Sequence, residues 1–524
     1  MMMYIIIGIA CLVGIIVVVL LLPNSGKQQQ KGQKYRFELS AGGGRKITFA
    51  DPFDNFLVYG GANSGKTKSI GKPLLSQYIQ AGFAGFVYNY KDFDLARTVV
   101  HLVKKHNYPY GCFQISFTEE RIMVKELYQT ILRETSLNVT SGEIDSIRKK
   151  SITKSGCRVY DGSYLGVSGV LGEPTPEAWT QAEANLSRRI PCPWGPETGK
   201  RRTCRRGTAM DAGRFLQLAE ELLKTLRQDF PQFIFSNKIN FTEDEVRLQN
   251  DGGLSYAWQD AAVQMSLLVR AQDSVNIFDT GIGSVYRTFD LEQVLKEAGE
   301  MLEAHLNPIA LPDVEKLPVL GSPGMFERAW AEGLNGQKLA RNASPWSGMV
   351  GQKLFADCFT LEVDRSSQNF FEPFFDPEGS CLEGDTLPLI ENGVFRRGYA
   401  DKKCAWEQHM EPTAAASGAY DDVPALALPS LSVRPTGKTL EELLDGRPAL
   451  YVLTSGGDIT PDGSFATPVQ MAYLYQNGRL VGRLPEFGLR GNLTDLLGKD
   501  FLGCSQDRPY DSANACVMEM TIVR

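Results

Sequence analysis

The sequence predicts an α+β protein with two parts that differ in their pattern of strands and helices. An apolar run, a glycine-rich phosphate-binding motif and alternating strands and helices predict an N-terminal transmembrane helix followed by a partial P-loop α/β segment. From Met123 onward, glycine-punctuated strands alternate with a few long helices, which predicts an α+β body that is rich in strands towards its C-terminus. The 524 residues are enough for about two to four domains.

Residues 5–22 form the apolar run, near the lower length limit for a helix that spans a bilayer. Basic residues begin only after it, at Lys27, and this bias predicts that the bulk of the chain is cytoplasmic. A signal peptide fits less well, because the run lacks a basic flank before it and a small-x-small cleavage site after it. We expect residues 1–34 to be an inner-membrane anchor and linker; a buried core helix is the alternative.

Composition excludes some classes of function. The net charge of −6 argues against a protein that coats nucleic acid, so no direct nucleic-acid partner is expected. Ten cysteines are scattered without a C-x-x-C pair, which fits a reducing compartment. The four histidines include no pair at zinc-ligand spacing, so the sequence predicts no self-contained histidine metal site.

Residues 60–67 match the P-loop pattern G-x-x-x-x-G-K-[ST] and follow an apolar run. Glycines let backbone N–H groups surround phosphate, the lysine adds a charge and the hydroxyl binds Mg²⁺. We expect weak binding of ATP and Mg²⁺ with negligible hydrolysis, because the only Walker B lookalike, residues 359–364, lies in a different context. A fortuitous glycine-rich turn is the alternative. The expected nucleotide contacts are Gly60, Gly65, Lys66 and Thr67.

Residues 35–118 alternate between strand and helix patterns, which predicts parallel βαβ units. The predicted strands cover residues 47–49, 56–59 and 83–92, and the predicted helices cover residues 72–81 and 95–105.

After Met123, apolar residues at helical spacing predict a helix over residues 124–132. Residues 144–171 predict β-structure with a hairpin turn at Asp161-Gly162. The basic run 200–206 is interpreted as a solvated loop rather than a nucleic-acid patch. Further predictions are helices over residues 211–227 and 291–306 and an antiparallel meander over residues 232–290 that turns at residues 250–253.

The first part resembles the start of a TraG-type coupling protein of conjugative type IV secretion, a membrane-anchored P-loop ATPase that pumps DNA. The resemblance covers residues 1–118 and rests on the apolar anchor, residues 59–75 and residues 86–92. Asn89 stands where that family has an acid, and the rest of the motor is missing. The resemblance implies a membrane-anchored nucleotide-binding module.

The second part, residues 123–524, resembles the TldD/PmbA family, also called modulator of DNA gyrase, whose members are peptidases that act on small modified peptides and antitoxins. The resemblance implies an N-terminal α+β domain over residues 123–310 and a β-rich C-terminal domain over residues 311–524. Five segments carry it, in family order: residues 155–168, 248–253, 389–395, 463–466 and 491–497.

The peptidase subunit of that family carries His-Glu-x-x-x-His, in which two imidazoles hold a metal and the glutamate serves as base. Phe326 and Ala331 occupy the histidine positions here, so no metal is expected, and Glu327 is left as a weak catalytic candidate or a structural carboxylate. The chain therefore resembles the metal-free PmbA (TldE) subunit. The implied partners are a peptide substrate and a TldD-like metallopeptidase subunit, or a second copy. Residues 455–464 either line a peptide cleft or form a turn-rich loop.

Three hypotheses of function follow. The chain is a peptidase-system subunit that is active only with a metal-bearing partner, or a membrane-anchored module of a DNA-transfer apparatus. The third hypothesis is a chimera of the two, natural or assembled, joined near residues 108–123; Met123 stands where a native start codon would fall.

Overall fold

The computed structural model describes residues 16–20, 37–41, 45–49, 72–81, 86–89, 94–106, 112–116, 123–508, 510 and 514–524. The chain divides into two compact units, residues 1–122 and residues 123–524.

In the first unit, β1 lies between β4 and β5 and pairs antiparallel with both, while β2 and β3 form an antiparallel pair. The prediction of parallel βαβ pairing is therefore wrong for the described strands, because a strand from the N-terminal apolar run separates β4 from β5. Both predicted helices are confirmed. The elements are β1 (Ile16–Leu20), β2 (Phe37–Ala41), β3 (Arg45–Phe49), α1 (Lys72–Gln80), β4 (Phe86–Asn89), α2 (Asp94–Lys105) and β5 (Cys112–Ser116).

The predicted transmembrane helix is not supported. The stretch of it that the structure describes, Ile16–Leu20, is a strand, and the rest lies outside the described residues. In the described part of the chain, no helix is long and apolar enough to cross a bilayer.

The second unit begins with a nine-stranded sheet in the order β10-β12-β11-β6-β7-β8-β9, with β13 and β14 also paired to β12. Helices α4 and α5 cover it, each begun by an aspartate whose side chain accepts backbone N–H groups of the first turn. The elements are β6 (Val124–Thr140), β7 (Glu143–Asp161), β8 (Tyr164–Leu171), α3 (Pro176–Asn185), β9 (Ile190–Pro191), β10 (Arg201–Arg205), α4 (Ala212–Asp229), β11 (Phe233–Asn250), β12 (Ser255–Ala271), β13 (Thr280–Ile282), β14 (Val285–Tyr286) and α5 (Leu291–Leu306).

Two predictions fail in this sheet. Residues 124–132 form strand β6 rather than a helix, because β6 pairs along its length with β7 and partly with β11 and is buried on both faces, which removes the alternation that marks a strand. The basic run 200–206 contains strand β10 rather than being a loop throughout, because it pairs in parallel with β12. The hairpin turn at Asp161-Gly162, the meander and both helices are confirmed.

The remainder of the second unit contains an eight-stranded sheet in the order β15-β22-β24-β26-β28-β27, with β23 and β25 paired to β24. A four-stranded sheet, β18-β17-β16-β21, packs with it around one aromatic core. The elements are β15 (Lys316–Gly321), α6 (Glu327–Gly333), α7 (Gly336–Ala340), β16 (Leu361–Asp364), β17 (Thr386–Glu391), β18 (Val394–Phe395), α8 (Lys402–Gln408), β19 (Ala416–Ser417), β20 (Ala425–Leu426), β21 (Leu431–Val433), α9 (Leu440–Leu444), β22 (Ala449–Ser455), β23 (Asp458–Ile459), β24 (Ser464–Gln476), β25 (Arg479–Arg483), β26 (Phe487–Asn492), α10 (Leu493–Leu496), β27 (Phe501–Cys504) and β28 (Cys516–Val523).

A second core joins the two halves of this unit. Phe235, Val263 and Leu302 from the first half lie in the same buried cluster as Leu440 and Tyr473 from the second half. The segment around residue 310 therefore connects two halves that share apolar packing.

Candidate functional site

The segment predicted to stand at the family's metal motif is built around buried aromatic rings. A 3-10 helix, Pro323–Phe326, leads into α6, and the Nε1–H of Trp330 donates to the carbonyl of Pro323 at 2.8 Å. The Phe326 ring meets the Trp330 ring edge-on at 6.2 Å and the Phe465 ring at 5.6 Å. Phe326 and Trp330 are each only 1% exposed, so this face of α6 belongs to the core.

This segment does not fit a metal ion. Phe326, at the predicted first histidine position, places its ring inside the core, and Ala331, at the predicted second, offers no donor atom. Glu327 is exposed at the first residue of α6 and is the one carboxylate at a motif position. Among the described residues, no group of three or more His, Cys, Asp or Glu side chains is arranged to hold a metal.

A cleft with a volume of about 620 Å³ lies against the other side of α6. Its walls come from α6, the loop before β16, the turn between β23 and β24, and α10. Its interior is mainly apolar, with a polar rim. The apolar lining residues are Ala329, Ala343, Pro345, Trp346, Met349, Leu354, Phe355, Ile459, Pro461 and Leu493, and the polar ones are Arg328, Glu332, Thr460, Asp462 and Thr494, with Gly463 completing the turn.

The turn at the rim is held by hydrogen bonds to Asp462. Its carboxylate accepts from the Thr460 hydroxyl and from the N–H and hydroxyl of Ser464, and these contacts lower its pKa. Gly463 has φ +84°, a conformation that glycine adopts without strain. Of the two interpretations of residues 455–464, the structure favours the cleft wall, since residues 459–463 line it.

Two of the charged rim residues, Arg328 and Glu332, form ion pairs at the surface. Arg328 forms an ion pair with Asp458, and both side chains are 59% exposed. The pKa of Asp458 is lowered mainly by a hydrogen bond from the Ile459 N–H and, to a smaller extent, by the hydrogen bond from Arg328. Glu332 pairs with Lys338. Asp462 has no cationic partner among the described residues, so the rim carries an unpaired negative charge beside an apolar interior.

A second group of ionisable residues is buried where β6 and β7 meet residues 376–402. The Glu126 carboxylate accepts from Tyr160 at 2.9 Å and from Asn250 at 3.0 Å, and it lies 3.4 Å from Nη1 of Arg158. Arg158 also donates to the carbonyl of Pro377. Within the described part of the chain, its Nε and Nη2 have no hydrogen-bond partner. We call this set, together with Asp376, Glu378 and Lys402, the buried network.

Burial, and then the neighbouring Asp376 charge, raises the pKa of Glu378 to about 8. Its carboxylate accepts the backbone N–H of Lys402 at 2.8 Å. Burial also raises the pKa of Asp376, which accepts the N–H groups of Glu378, Ser380 and Ala416. The cavity beside Glu378 has a volume of about 20 Å³, room for a water molecule but not for a peptide side chain. The cleft is therefore the stronger candidate site.

The other predicted site residues are not brought to the cleft. Gly60, Gly65, Lys66 and Thr67 lie outside the described residues, so nucleotide binding stays a prediction. Asp364, the end of the Walker B lookalike, is buried and accepts hydrogen bonds from Ser366 and Ser432.

Sequence reasoning missed most of the cleft. Trp346, Met349 and Phe355 follow no recognisable motif and meet Leu493 only through the fold. The one signal was the aromatic density of residues 346–359, which is equally typical of a core.

Comparison with known proteins finds relatives of the second unit. Residues 315–520 match the family model described as the PmbA/TldA metallopeptidase C-terminal domain. The chain is 24% identical over 258 residues to a zinc metalloprotease TldD homolog of Saccharolobus solfataricus, covering 45% of this chain and 57% of that protein. It is 25% identical over 236 residues to a metalloprotease of Methanothermobacter thermautotrophicus, covering 42% and 51%. The chain thus spans little more than half the length of these two relatives.

Solved structures show the fold. TldE from Thermococcus kodakarensis superposes with a TM-score of 0.61 at 19% identity, covering 76% of this chain and 97% of that one. A protein described as a modulator of a DNA gyrase from Thermotoga maritima superposes with a TM-score of 0.59 at 17% identity, covering 82% and 99%. None of these matches supports the TraG-type resemblance of residues 1–118. They support the other resemblance: residues 315–520 match the C-terminal domain of TldD/PmbA-type metallopeptidases, the curated relatives are metalloproteases, and the chain shares the fold of TldE.

Proposed function

We propose that this chain is the metal-free subunit of a TldD/PmbA-type peptidase system and that its cleft holds an apolar side chain of a small or unfolded peptide. The observation that carries the proposal is the burial of Phe326 in the aromatic core, at the position where the resemblance predicts the first metal-binding histidine. Without a metal, no bound water is activated as a nucleophile, so amide hydrolysis requires a metal-bearing partner.

The chain's own residues would bind and orient the peptide. The apolar interior of the cleft excludes water around an aliphatic or aromatic side chain, and its volume of about 620 Å³ is within the range of ligand pockets. Asp462 on the rim favours a neighbouring amine or basic residue. The names of the curated relatives, zinc metalloprotease and metalloprotease, support the reaction class of the partnered system.

The test is a peptidase assay of the full chain, alone and mixed with a TldD-type zinc metalloprotease, on short unstructured peptides that contain an aromatic residue. We expect chelator-sensitive cleavage in the mixture, faster than with the metalloprotease alone, and none with this chain alone. Chelator-sensitive cleavage by this chain alone, or no effect of adding it to the partner, would contradict the proposal.

A pair of alanine substitutions tests the cleft itself. Ala329 lines the cleft, whereas Ala340 is exposed at the end of α7 and does not line it. We expect Ala329→Trp to fill the cleft and lower kcat/KM of the mixture by about tenfold, a loss of about 1.4 kcal/mol, and Ala340→Trp to leave it unchanged. Equal activity of the two variants would exclude the cleft as the peptide site.

A further inference from the structure

The basic strand β10 forms one edge of the nine-stranded sheet, and β12 is its one partner among the described strands. The N–H of Ser255 donates to the carbonyl of Lys200 at 2.9 Å, and the N–H of Arg206 donates to the carbonyl of Gln259 at 2.8 Å. In a parallel pair, alternate residues of a strand bond to the same neighbour. The even-numbered residues of this segment therefore face β12 with their backbone groups, and the odd-numbered residues face away from it.

The outward residues leave a free backbone edge. Arg201, Thr203 and Arg205 are exposed, the register of the parallel pair turns their N–H and carbonyl groups away from β12, and no turn or loop backbone group of the described residues bonds to them. A row of unpaired backbone groups on an edge strand is a template to which an extended segment of another polypeptide can add.

Two of these three positions, Arg201 and Arg205, carry positive charge. Arg202 is paired with Asp385 at 2.6 Å, and Arg206 donates to two backbone carbonyls. Arg201 and Arg205, by contrast, form no ion pair within the described residues. Their register neighbours on β12 are uncharged, being serine and glutamine.

The positive charge of Arg201 and Arg205 determines which kind of strand can pair with the free edge of β10. In a symmetric antiparallel pair of two β10 strands, arginine would lie opposite arginine, and like charges directly opposite are destabilising. A second copy of this chain is therefore a poor occupant, whereas a strand with carboxylates on the matching face would gain charge-assisted hydrogen bonds.

We propose that β10 is a docking edge for an extended acidic segment of another polypeptide, which adds to the sheet as a further strand. Arg201 and Arg205 lie four residues apart, about 13 Å along a strand. The matching segment carries carboxylates at the same spacing. The inference does not depend on the proposed peptidase function, because it concerns binding at a different part of the unit.

The experiment measures binding of a fluorescein-labelled peptide with the core Glu-Val-Thr-Val-Glu to the full chain by fluorescence anisotropy. We expect Arg201→Glu combined with Arg205→Glu to weaken binding by at least about tenfold. The matched control, Arg214→Glu with Lys224→Glu, reverses two exposed charges on α4 and is expected to leave binding unchanged. A peptide with lysine in place of glutamate is expected not to bind.

Substitution of Thr203 tests strand addition rather than charge alone. Thr203→Pro removes an N–H that points away from β12, so the existing pairing is kept while a bond to the added strand is lost. We expect this variant to lose peptide binding and Thr203→Val to keep it. If Thr203→Pro fails to fold, the Arg201→Glu, Arg205→Glu variant alone tests the proposal. Absence of binding, equal binding of the lysine peptide, or full binding by a folded Thr203→Pro variant would overturn the proposal.

Discussion

The cleft rim and the buried network hold similar ion pairs in opposite surroundings. At the rim, Arg328 and Asp458 each keep 59% of the side chain exposed. In the buried network, the Arg158 and Glu126 side chains are both 0% exposed, and two nitrogens of Arg158 lack a hydrogen-bond partner among the residues that the structure describes. Water screens the first pair and leaves it free to rearrange around a ligand. The second pair is shielded from water, so its stability depends on the remaining hydrogen bonds and charges around it. Rim charges therefore suit recognition, and network charges fix the position of residues 376–402 against the sheet.

The largest effect that this comparison predicts is on the buried arginine. Arg158→Ala should lower the free energy of unfolding by about 3–5 kcal/mol, because it leaves Glu126 buried without its cation and removes the stacking of the guanidinium on Tyr128. Urea unfolding at pH 7 measures it. Arg148→Ala, an exposed position on the same strand, is the control and should change stability by less than about 0.5 kcal/mol. A loss of stability below about 1 kcal/mol for Arg158→Ala would contradict the predicted difference between the buried and the exposed ion pair.

The pH dependence of stability should come partly from Glu378. Its pKa is raised from 4.5 to about 8 in the folded chain, so between these values the folded chain holds a proton that the unfolded chain has released. Stability from this group therefore falls as pH rises through that window. Glu378→Gln cannot ionise and should be more stable than the wild type at pH 9, by on the order of 2 kcal/mol, and nearly equal near pH 4.5. Urea unfolding at both pH values measures this; a gain of equal size at both would refute the assigned cause.

A smaller effect is expected at the turn of the cleft wall. Asp462→Ala removes the hydrogen bonds from Thr460 and Ser464 and should cost about 1 kcal/mol, because the turn is exposed and water replaces the lost partners. The same substitution should weaken binding of peptides with a basic residue beside the apolar one. Thermal unfolding and a peptide titration check the two parts, and a loss of stability above about 3 kcal/mol would show that the wall belongs to the core.

The smallest effect should be at the exposed ion pair. Arg328→Ala should change the free energy of unfolding by less than about 0.5 kcal/mol, because the pair is solvated on both sides. Chemical unfolding at low and high salt tests this prediction. A marked, salt-insensitive loss would mean that the rim pair behaves like the buried one.

The sequence predicted correctly those helices and turns whose ends are determined by nearby residues, such as capping aspartates and turn glycines. Asp290 caps α5, and the helix runs over the predicted residues 291–306. The turn at residues 250–253 was equally readable. Strand β10 was missed because its structure depends on β12, a partner some fifty residues away in the chain, and the sequence holds no local trace of that pairing.

The site was predictable only where it rests on a motif. The sequence shows Phe326 and Ala331 directly, and the resemblance then predicts that both metal-binding histidines are absent. The cleft cannot, because α6 and α10 contribute residues more than 150 positions apart and only the folded sheets bring them together. The helical spacing of apolar residues likewise gave a wrong prediction for residues 124–132, because burial on both faces of β6 removes the alternation of apolar and polar residues that marks a strand.

The core shared by Phe235, Leu302, Leu440 and Tyr473 has a consequence for how the second unit comes apart. Neither half can expose its side of this cluster to water without a large loss of buried apolar area. A protease cut near residue 310 should therefore leave two fragments that stay together until denaturant separates them. Slowly exchanging amides should be distributed over α5 and β24 alike, and the unit should melt in one transition.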